Sequence, residues 1–161
     1  MNPIARILPP ANIVIDLDAG SKKQLFELAG QMFETNQKLS QRVVFDSLSA
    51  REKLGSTGLG QGVAIPHGRI KHLREATGAF IKPRTPIPFD SPDGMSVNLI
   101  FILLVPEHAT DLHLQILGEL AEMFCDKAFR DSLLASHDAS EIYQKITGWG
   151  AHDADHRSAA I

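Results

Sequence analysis

Three features of the sequence predict an α/β domain built on a mixed sheet. Stretches with the apolar period of helices alternate along the chain with short β-prone runs. One of those runs, Leu99 to Val105, is entirely apolar, as befits a central strand covered on both faces. Between Ile87-Pro88-Phe89 and the run Val97 to Val105 lies Ser91-Pro92-Asp93-Gly94, a turn sequence suited to joining antiparallel strands. With 161 residues, 43% hydrophobic and 22% charged, the chain can bury one substantial core.

In chain order, Asn12 to Leu17 reads as a short strand. Ser21 is placed to cap a helix whose apolar side chains are Leu25, Leu28, Ala29, Met32 and Phe33. Ser40 caps a second helix, with Val44, Leu48 and Arg51 on one stripe and Leu54 near its end. Gly55 to Gly62 is too rich in glycine for a helix and reads as a loop, and Val63-Ala64-Ile65 as a short strand ending at Pro66 and His67. Thr77 to Ile81 is another strand. From Thr110 or Asp111 a third helix carries Leu114, Leu117, Leu120, Ala121 and Phe124. Asp126 caps a short fourth helix with Phe129, Leu133 and Leu134, and Asp138 with Glu141 forms a capping box for the last. Residues 1–147 are expected to make one domain and 148–161 a flexible tail without apolar period.

Composition narrows the function classes. A net charge of -3 gives no bulk attraction to nucleic acid or anionic membranes, and no Lys/Arg stripe overrides it. The lone Cys125 has no partner thiol for a disulfide or zinc knuckle. No stretch approaches the ~18 apolar residues of a membrane span, and the opening residues, broken by Pro9-Pro10, lack the apolar core of a signal peptide. A cytoplasmic protein with no direct membrane insertion is expected.

The chemistry concentrates in residues 51 to 70. Gly55, Gly58, Gly60 and Gly62 allow successive backbone N–H groups to turn toward one point as an anion-binding nest, with Ser56 and Thr57 adding hydroxyls. The spacing fits neither the P-loop nor the dinucleotide fingerprint. His67 stands between rigid Pro66 and Gly68, and a neutral imidazole there is a competent phosphoryl acceptor. Arg51, beside the loop, offers a planar fork to phosphate oxygens; where its head instead lies in water, Glu52 is simply a solvated neighbour. His113 lies in the first turn of its helix, where anions are favoured. Taken singly, each residue also has a plain reading: a turn histidine, an arginine with its head in water, a core histidine. His72 is read as facing solvent, His108 as less well placed, and His137, His152 and His156 receive no role.

Together these residues resemble a known family. Arg51-Glu52, Gly55-Ser56-Thr57-Gly58 and Ile65-Pro66-His67-Gly68 are similar to the active-site signature of the IIA proteins of the bacterial phosphoenolpyruvate-dependent phosphotransferase system, in their fructose/mannitol and nitrogen-regulatory branch. Pro86 to Phe89, Leu103 to Pro106, and His113-Leu114 with Leu117 extend the likeness, which runs from about Ile13 to Thr147. The resemblance implies a mannitol-type IIA fold, a mixed parallel and antiparallel sheet flanked by helices. It implies that His67 is phosphorylated, that His113 and Arg51 stand beside it, and that Gly55, Ser56, Thr57 and Gly58 bind phosphate. It implies a small histidine phosphocarrier protein of the HPr or NPr type as donor, and neither metal nor other cofactor.

A chain without membrane or thiol-acceptor segments is more similar to the nitrogen-regulatory member, whose phosphorylation is a signal read by partners such as sensor kinases or potassium transporters. A free-standing sugar IIA that passes phosphate to a fructose/mannitol IIB is the alternative. A metal hydrolase using His67, His72, His108 and His113 is a remote one, since no His-Glu-x-x-His motif is present. A pure interaction module is disfavoured by the presence of Arg51, His67 and His113 together.

Overall fold

The sheet forms around the most apolar run of the chain. The computed structural model describes residues 2–108 and 110–150, and in it Leu99–Pro106 is strand β6, buried from Leu99 through Val105. Leu99, Phe101, Leu103 and Val105 enter one apolar layer, and Ile100, Ile102 and Leu104 the other. This is the two-residue alternation that pleating imposes. Strand β5 (Thr77–Pro83) runs antiparallel to β6 with Phe80 opposite Phe101. Strand β1 (Ile13–Leu17) lies outside β5, parallel to it, with Ile13 opposite Phe80.

On the other flank of β6 two short strands lie in series. In β3 (Val63–Ala64) Val63 pairs with Leu99, and in β4 (His67–Ile70) His67 pairs with Leu103, both parallel. Val63 to Leu99 and His67 to Leu103 are each 36 positions apart, so Ile65 and Pro66 interrupt the ladder without shifting its register. Pro66 has no N–H to contribute, but its carbonyl accepts from the Leu103 N–H at 2.9 Å. Strand β2 (Gly58–Gly60) pairs antiparallel with β3. The order is β1-β5-β6-β3-β2, with β4 also on β6, a mixed sheet as expected.

Helices α2 (Lys22–Gln37) and α3 (Gln41–Lys53) cover one face. Helices α1 (Ile4–Ile7), α4 (Thr110–Cys125), α5 (Lys127–Ala135) and α6 (Ala139–Gly148) cover the other. Ser21, Ser40 and Asp126 cap as expected, accepting from the N–H groups of Gln24, Val43 and Phe129. Asp138 caps α6 through Ser140, and Glu141 turns instead to Lys145 at 3.6 Å, so the reciprocal capping box is replaced by an i,i+4 pair. The antiparallel pairing expected around Ser91 to Gly94 is reduced to a single bridge, Ile87 with Val97. Helix α1 and the 3-10 turn Pro10–Asn12 were not expected from the sequence, nor was β4 beyond His67. Of the proposed tail, Gly148 ends α6 and the Trp149 ring packs at 6.4 Å from Phe129; 151–161, including His152 and His156, lie outside the described residues.

Two close approaches hold the layers in place. Gly68 lets α3 sit on β4, because a Cβ there would come within 2.2 Å of Ser47 Oγ and 3.3 Å of its backbone carbon. On the opposite face the buried Lys82 of β5 reaches the end of α5, where Nζ donates to the carbonyls of Leu134 at 2.6 Å and Ser136 at 2.7 Å. It thereby satisfies carbonyls that a helix end leaves without partners. Lys82→Met keeps the apolar stem and leaves those carbonyls unpaired. It should lower the unfolding free energy by about 1–3 kcal/mol in urea titration, the usual penalty for orphaned buried polar groups.

Candidate functional site

The site forms where the β3–β4 edge is interrupted. Backbone N–H and C=O of one strand residue point to the same side, and those of Ile65 face away from β6. Its N–H donates to the Thr57 carbonyl at 3.1 Å. Beyond that point β2 no longer runs alongside, and the Ile65 carbonyl takes the His67 ring, Nδ1 standing 2.9 Å away. A carbonyl only accepts, so the hydrogen-bond network assigns the proton to Nδ1 and leaves Nε2 with a free lone pair. Arg51 completes the assignment: its Nε–H donates to His67 Nε2 at 3.2 Å.

Arg51 comes from the last turn of α3 and is itself held, with Nη1 donating to the Gly55 carbonyl at 2.9 Å. His113, from the first turns of α4, stands edge-on to His67 with ring centroids 5.0 Å apart and planes at 68°. It is buried, and its Nε2 has no hydrogen-bond partner among the described residues. A pocket of about 300 Å³ opens beside the pair, lined by Arg51, Ser56, Thr57, Leu59, His67 and Leu117 among others. Leu54, Leu59 and Leu114 are exposed, at 84%, 48% and 64%, an apolar surface no small core needs to show.

Both imidazoles are biased toward the neutral form. Burial lowers the pKa of His67 from 6.5, and the Arg51 charge adds to this, against the pull of the Ile65 carbonyl and of Glu52. Burial likewise lowers that of His113, reinforced by His67, Arg69 and Arg51. A neutral ring is what nucleophilic attack requires, with its lone pair freed once Arg51 lets go of Nε2.

Three expectations need correcting. Glu52 is not a solvated neighbour of Arg51; it is buried, its carboxylate accepting from the Thr57 N–H at 3.1 and 3.2 Å, from Thr57 Oγ1 at 2.6 Å and from Lys22 Nζ at 3.0 Å. The sequence signal was available, since Glu52 follows Val44 and Leu48 at four-residue steps on the buried stripe of α3. The glycines do not form an open nest. They build the β2–β3 hairpin, whose turn passes through Gly60, Gln61 and Gly62 at φ of 90°, 58° and 80°. Its N–H groups are already engaged: Thr57 with Glu52, Gly58 with Ser56 Oγ at 3.0 Å, and Gln61 with Asp93 at 2.8 Å. Finally, the Ser56 and Thr57 hydroxyls are not free, since they donate to the Phe89 carbonyl at 2.6 Å and to Glu52.

The remaining histidines stand apart in character. His72, His108 and His137 are exposed, and His72 takes a left-handed φ of 65°. Among the described residues no three His, Cys, Asp or Glu side chains are grouped to hold a metal ion, and no helix is long and apolar enough to cross a membrane.

Comparison with known proteins gives the family and the fold. Residues 6–148 match the family described as phosphoenolpyruvate-dependent sugar phosphotransferase system, EIIA 2. The chain is 43% identical over 145 residues to the nitrogen regulatory protein of Bradyrhizobium diazoefficiens, spanning 89% of this chain and 94% of that one. It is 38% identical over 144 residues to the protein of the same description from Pseudomonas aeruginosa, with coverage again of 89% and 94%. The crystal structure of nitrogen regulatory protein IIA-Ntr from Neisseria meningitidis aligns at a TM-score of 0.85 and 55% identity, over 89% of this chain and 99% of that one. The mannitol IIA of Escherichia coli, at 20% identity and a TM-score of 0.72 over 85% and 96% of the two chains, shares the fold. A matching family over nearly the whole chain, relatives well above the level of chance and one common fold lead to a single assignment: the chain belongs to the EIIA 2 family of phosphotransferase-system phosphocarriers, among its nitrogen regulatory homologues.

Proposed function

We propose that His67 Nε2 accepts a phosphoryl group from the phosphohistidine of a small HPr- or NPr-type carrier protein. In this reading the phosphorylated protein is a regulatory signal. The observation that carries it is the pair of contacts on the His67 ring, Nδ1 against the Ile65 carbonyl and Nε2 against Arg51, which favours the Nδ1–H tautomer.

The transfer is an in-line exchange between two nitrogens. The His67 Nε2 lone pair forms the new N–P bond while the donor's N–P bond breaks and its electron pair returns to the donor ring. The Nδ1 proton stays on His67, where the Ile65 carbonyl stabilises the positive charge the ring acquires. Arg51 gives up its bond to Nε2 and turns its guanidinium to the phosphoryl oxygens. His113, whose Nε2 lacks an internal partner, donates to another of those oxygens. Gly55, Ser56, Thr57 and Gly58 act on the phosphoryl group chiefly through the shape of the pocket and through Arg51, because the Gly55, Thr57 and Gly58 N–H groups and the Ser56 and Thr57 hydroxyls are committed elsewhere. No metal or nucleotide enters this scheme.

The regulatory role is carried over from the nitrogen regulatory relatives; partners such as sensor kinases or potassium transporters are what the family resemblance implies, and the cytoplasmic location follows the reading of the sequence. The apolar rim of Leu54, Leu59 and Leu114 supports a protein partner over a small molecule as the donor.

Incubation with labelled phosphoenolpyruvate, the first enzyme of the system and its histidine carrier tests the reading. The wild-type chain should acquire acid-labile label and His67→Ala none; an unlabelled wild type beside an active donor chain would refute it. Labelled wild type that then passes its phosphate to a fructose/mannitol IIB would move the assignment to the sugar-specific alternative. Arg51→Ala and His113→Ala should remain folded and label about 10²-fold more slowly, the usual effect of deleting one preorganised donor.

The histidines also set a pH dependence. Their folded pKa values lie below the unfolded 6.5, so the unfolded chain binds more protons as pH falls through that value, and the pair then favours unfolding. Their contribution to stability should decline below about pH 6.5, and His113→Gln should flatten that decline in urea titrations run across the range.

A further inference from the structure

Glu52 touches neither His67 nor the pocket beside it, yet two hydrogen-bonded chains that end on the site both begin there. Along the first, the Glu52 carboxylate holds Thr57 by its N–H and its hydroxyl. The Thr57 carbonyl receives the Ile65 N–H, and the Ile65 carbonyl receives His67 Nδ1. Along the second, the Glu52 backbone carbonyl accepts from the Gly55 N–H at 3.2 Å, and the Gly55 carbonyl accepts from Arg51 Nη1. One chain sets the tautomer of the nucleophile, and the other sets the direction of the guanidinium that meets its lone pair.

We propose that Glu52 is a positioning residue for phosphoryl acceptance at His67, fixing the turn 54–57 so that Ile65 and Gly55 present their carbonyls to His67 and Arg51. The inference rests on His67 being the acceptor, and it extends that reading to a residue outside the pocket. The carboxylate is suited to this work because it is boxed in. Lys22 Nζ bonds it at 3.0 Å while lying over the Phe89 ring at 4.9 Å, and Phe89 in turn holds Ser56 by its carbonyl. The turn is thereby tied to α2 and to the 89–98 segment as well as to α3, with Gly58 set so close that a Cβ would meet Ser91 Oγ at 2.3 Å. A small residue or an apolar one at position 52 would leave the buried Thr57 N–H and hydroxyl without their acceptor and free the Thr57 end of the chain that leads through Ile65 to His67, while the backbone link from position 52 to Gly55 would remain.

Two variants and two readouts test this. Glu52→Ala removes the anchor, and Thr57→Val removes the 2.6 Å hydroxyl bond while keeping volume and backbone. The first readout is the rate of label uptake from the phosphorylated carrier at saturating donor. It should fall roughly 10- to 100-fold in kcat with little change in KM, because loss of alignment costs rate while the docking rim is untouched. Glu52→Gln, which keeps an acceptor for Thr57, should recover part of that loss. The second readout is the nitrogen NMR signature of the His67 ring. It should show one Nδ1–H tautomer in the wild type and a mixture of tautomers in both variants, well below their melting temperatures. Folded Glu52→Ala and Thr57→Val proteins with a wild-type rate and a single tautomer would overturn the proposal. Should Glu52→Ala fail to fold, Thr57→Val decides alone. The tautomer readout needs no donor protein, so it judges Glu52 even if wild-type labelling fails and His67 loses its role as acceptor.

Discussion

A strand buried on both faces cannot slip, because moving it by one residue would exchange the packing partners of two helical layers at once. β6 is under that constraint from Leu99 to Val105, and the geometry of the site is referred to it. β3 and β4 inherit their height along the sheet from pairing with β6, so His67 is fixed opposite Leu103 even though the ladder pauses two residues earlier. His67 and Leu103 share a face, the one that α4 covers, and His113 meets His67 there. Arg51 arrives from the other layer. It reaches His67 because Gly68 permits α3 to lie directly on β4 at the sheet's edge.

The pause at Ile65-Pro66 makes an edge into a site. Unpaired strand-edge groups invite association with other chains, and here a side chain claims them. The Ile65 carbonyl, which a longer β2 would have bonded, instead holds the His67 ring. Pro66 withholds a donor without loosening the strand, because its carbonyl still serves Leu103. A continuous β-hairpin at this position would satisfy the backbone equally well and leave His67 with no fixed tautomer.

What the sequence makes legible follows the range of the interactions involved. Caps at Ser21, Ser40 and Asp126 lie within one helical turn of what they bond, and β6 announces itself by composition, so local reading finds both. Arg51, His67 and His113 were legible as candidates because a motif resemblance gathers residues that spacing alone leaves apart; the structure brings all three within contact of one another's rings and charges. Glu52 was misread because a charged residue beside an arginine at a helix end is ordinarily solvated, and nothing local reveals that Lys22, thirty positions earlier, returns to pair with it. The glycine loop was misread for a related reason. Positive φ at Gly60 and Gly62 serves a nest or a hairpin turn equally well, and only the partner strand distinguishes them. Lys82 as the cap of α5 was beyond reach, its acceptors lying more than fifty residues away.

On the reading proposed for His67, the electrostatics of the site give one covalent event a means of changing how a partner meets the protein. A buried imidazole and a half-buried one, both biased toward neutrality, leave Arg51 as the conspicuous charge at the pocket. A phosphoryl group adds up to about two negative charges at that spot. It reverses the bias on His113, since an adjacent anion favours the protonated ring as firmly as burial opposed it. It also draws the Arg51 guanidinium off the nitrogen it now occupies. These shifts would take place beside the exposed Leu59 at the pocket, with Leu54 and Leu114, exposed neighbours in sequence of the Arg51–Glu52 and His113 segments. An apolar partner surface fits over a rim around a neutral pocket and is penalised by a desolvated dianion, unless it brings a cation to match. On the proposed reading, the state of one nitrogen becomes a preference between partners.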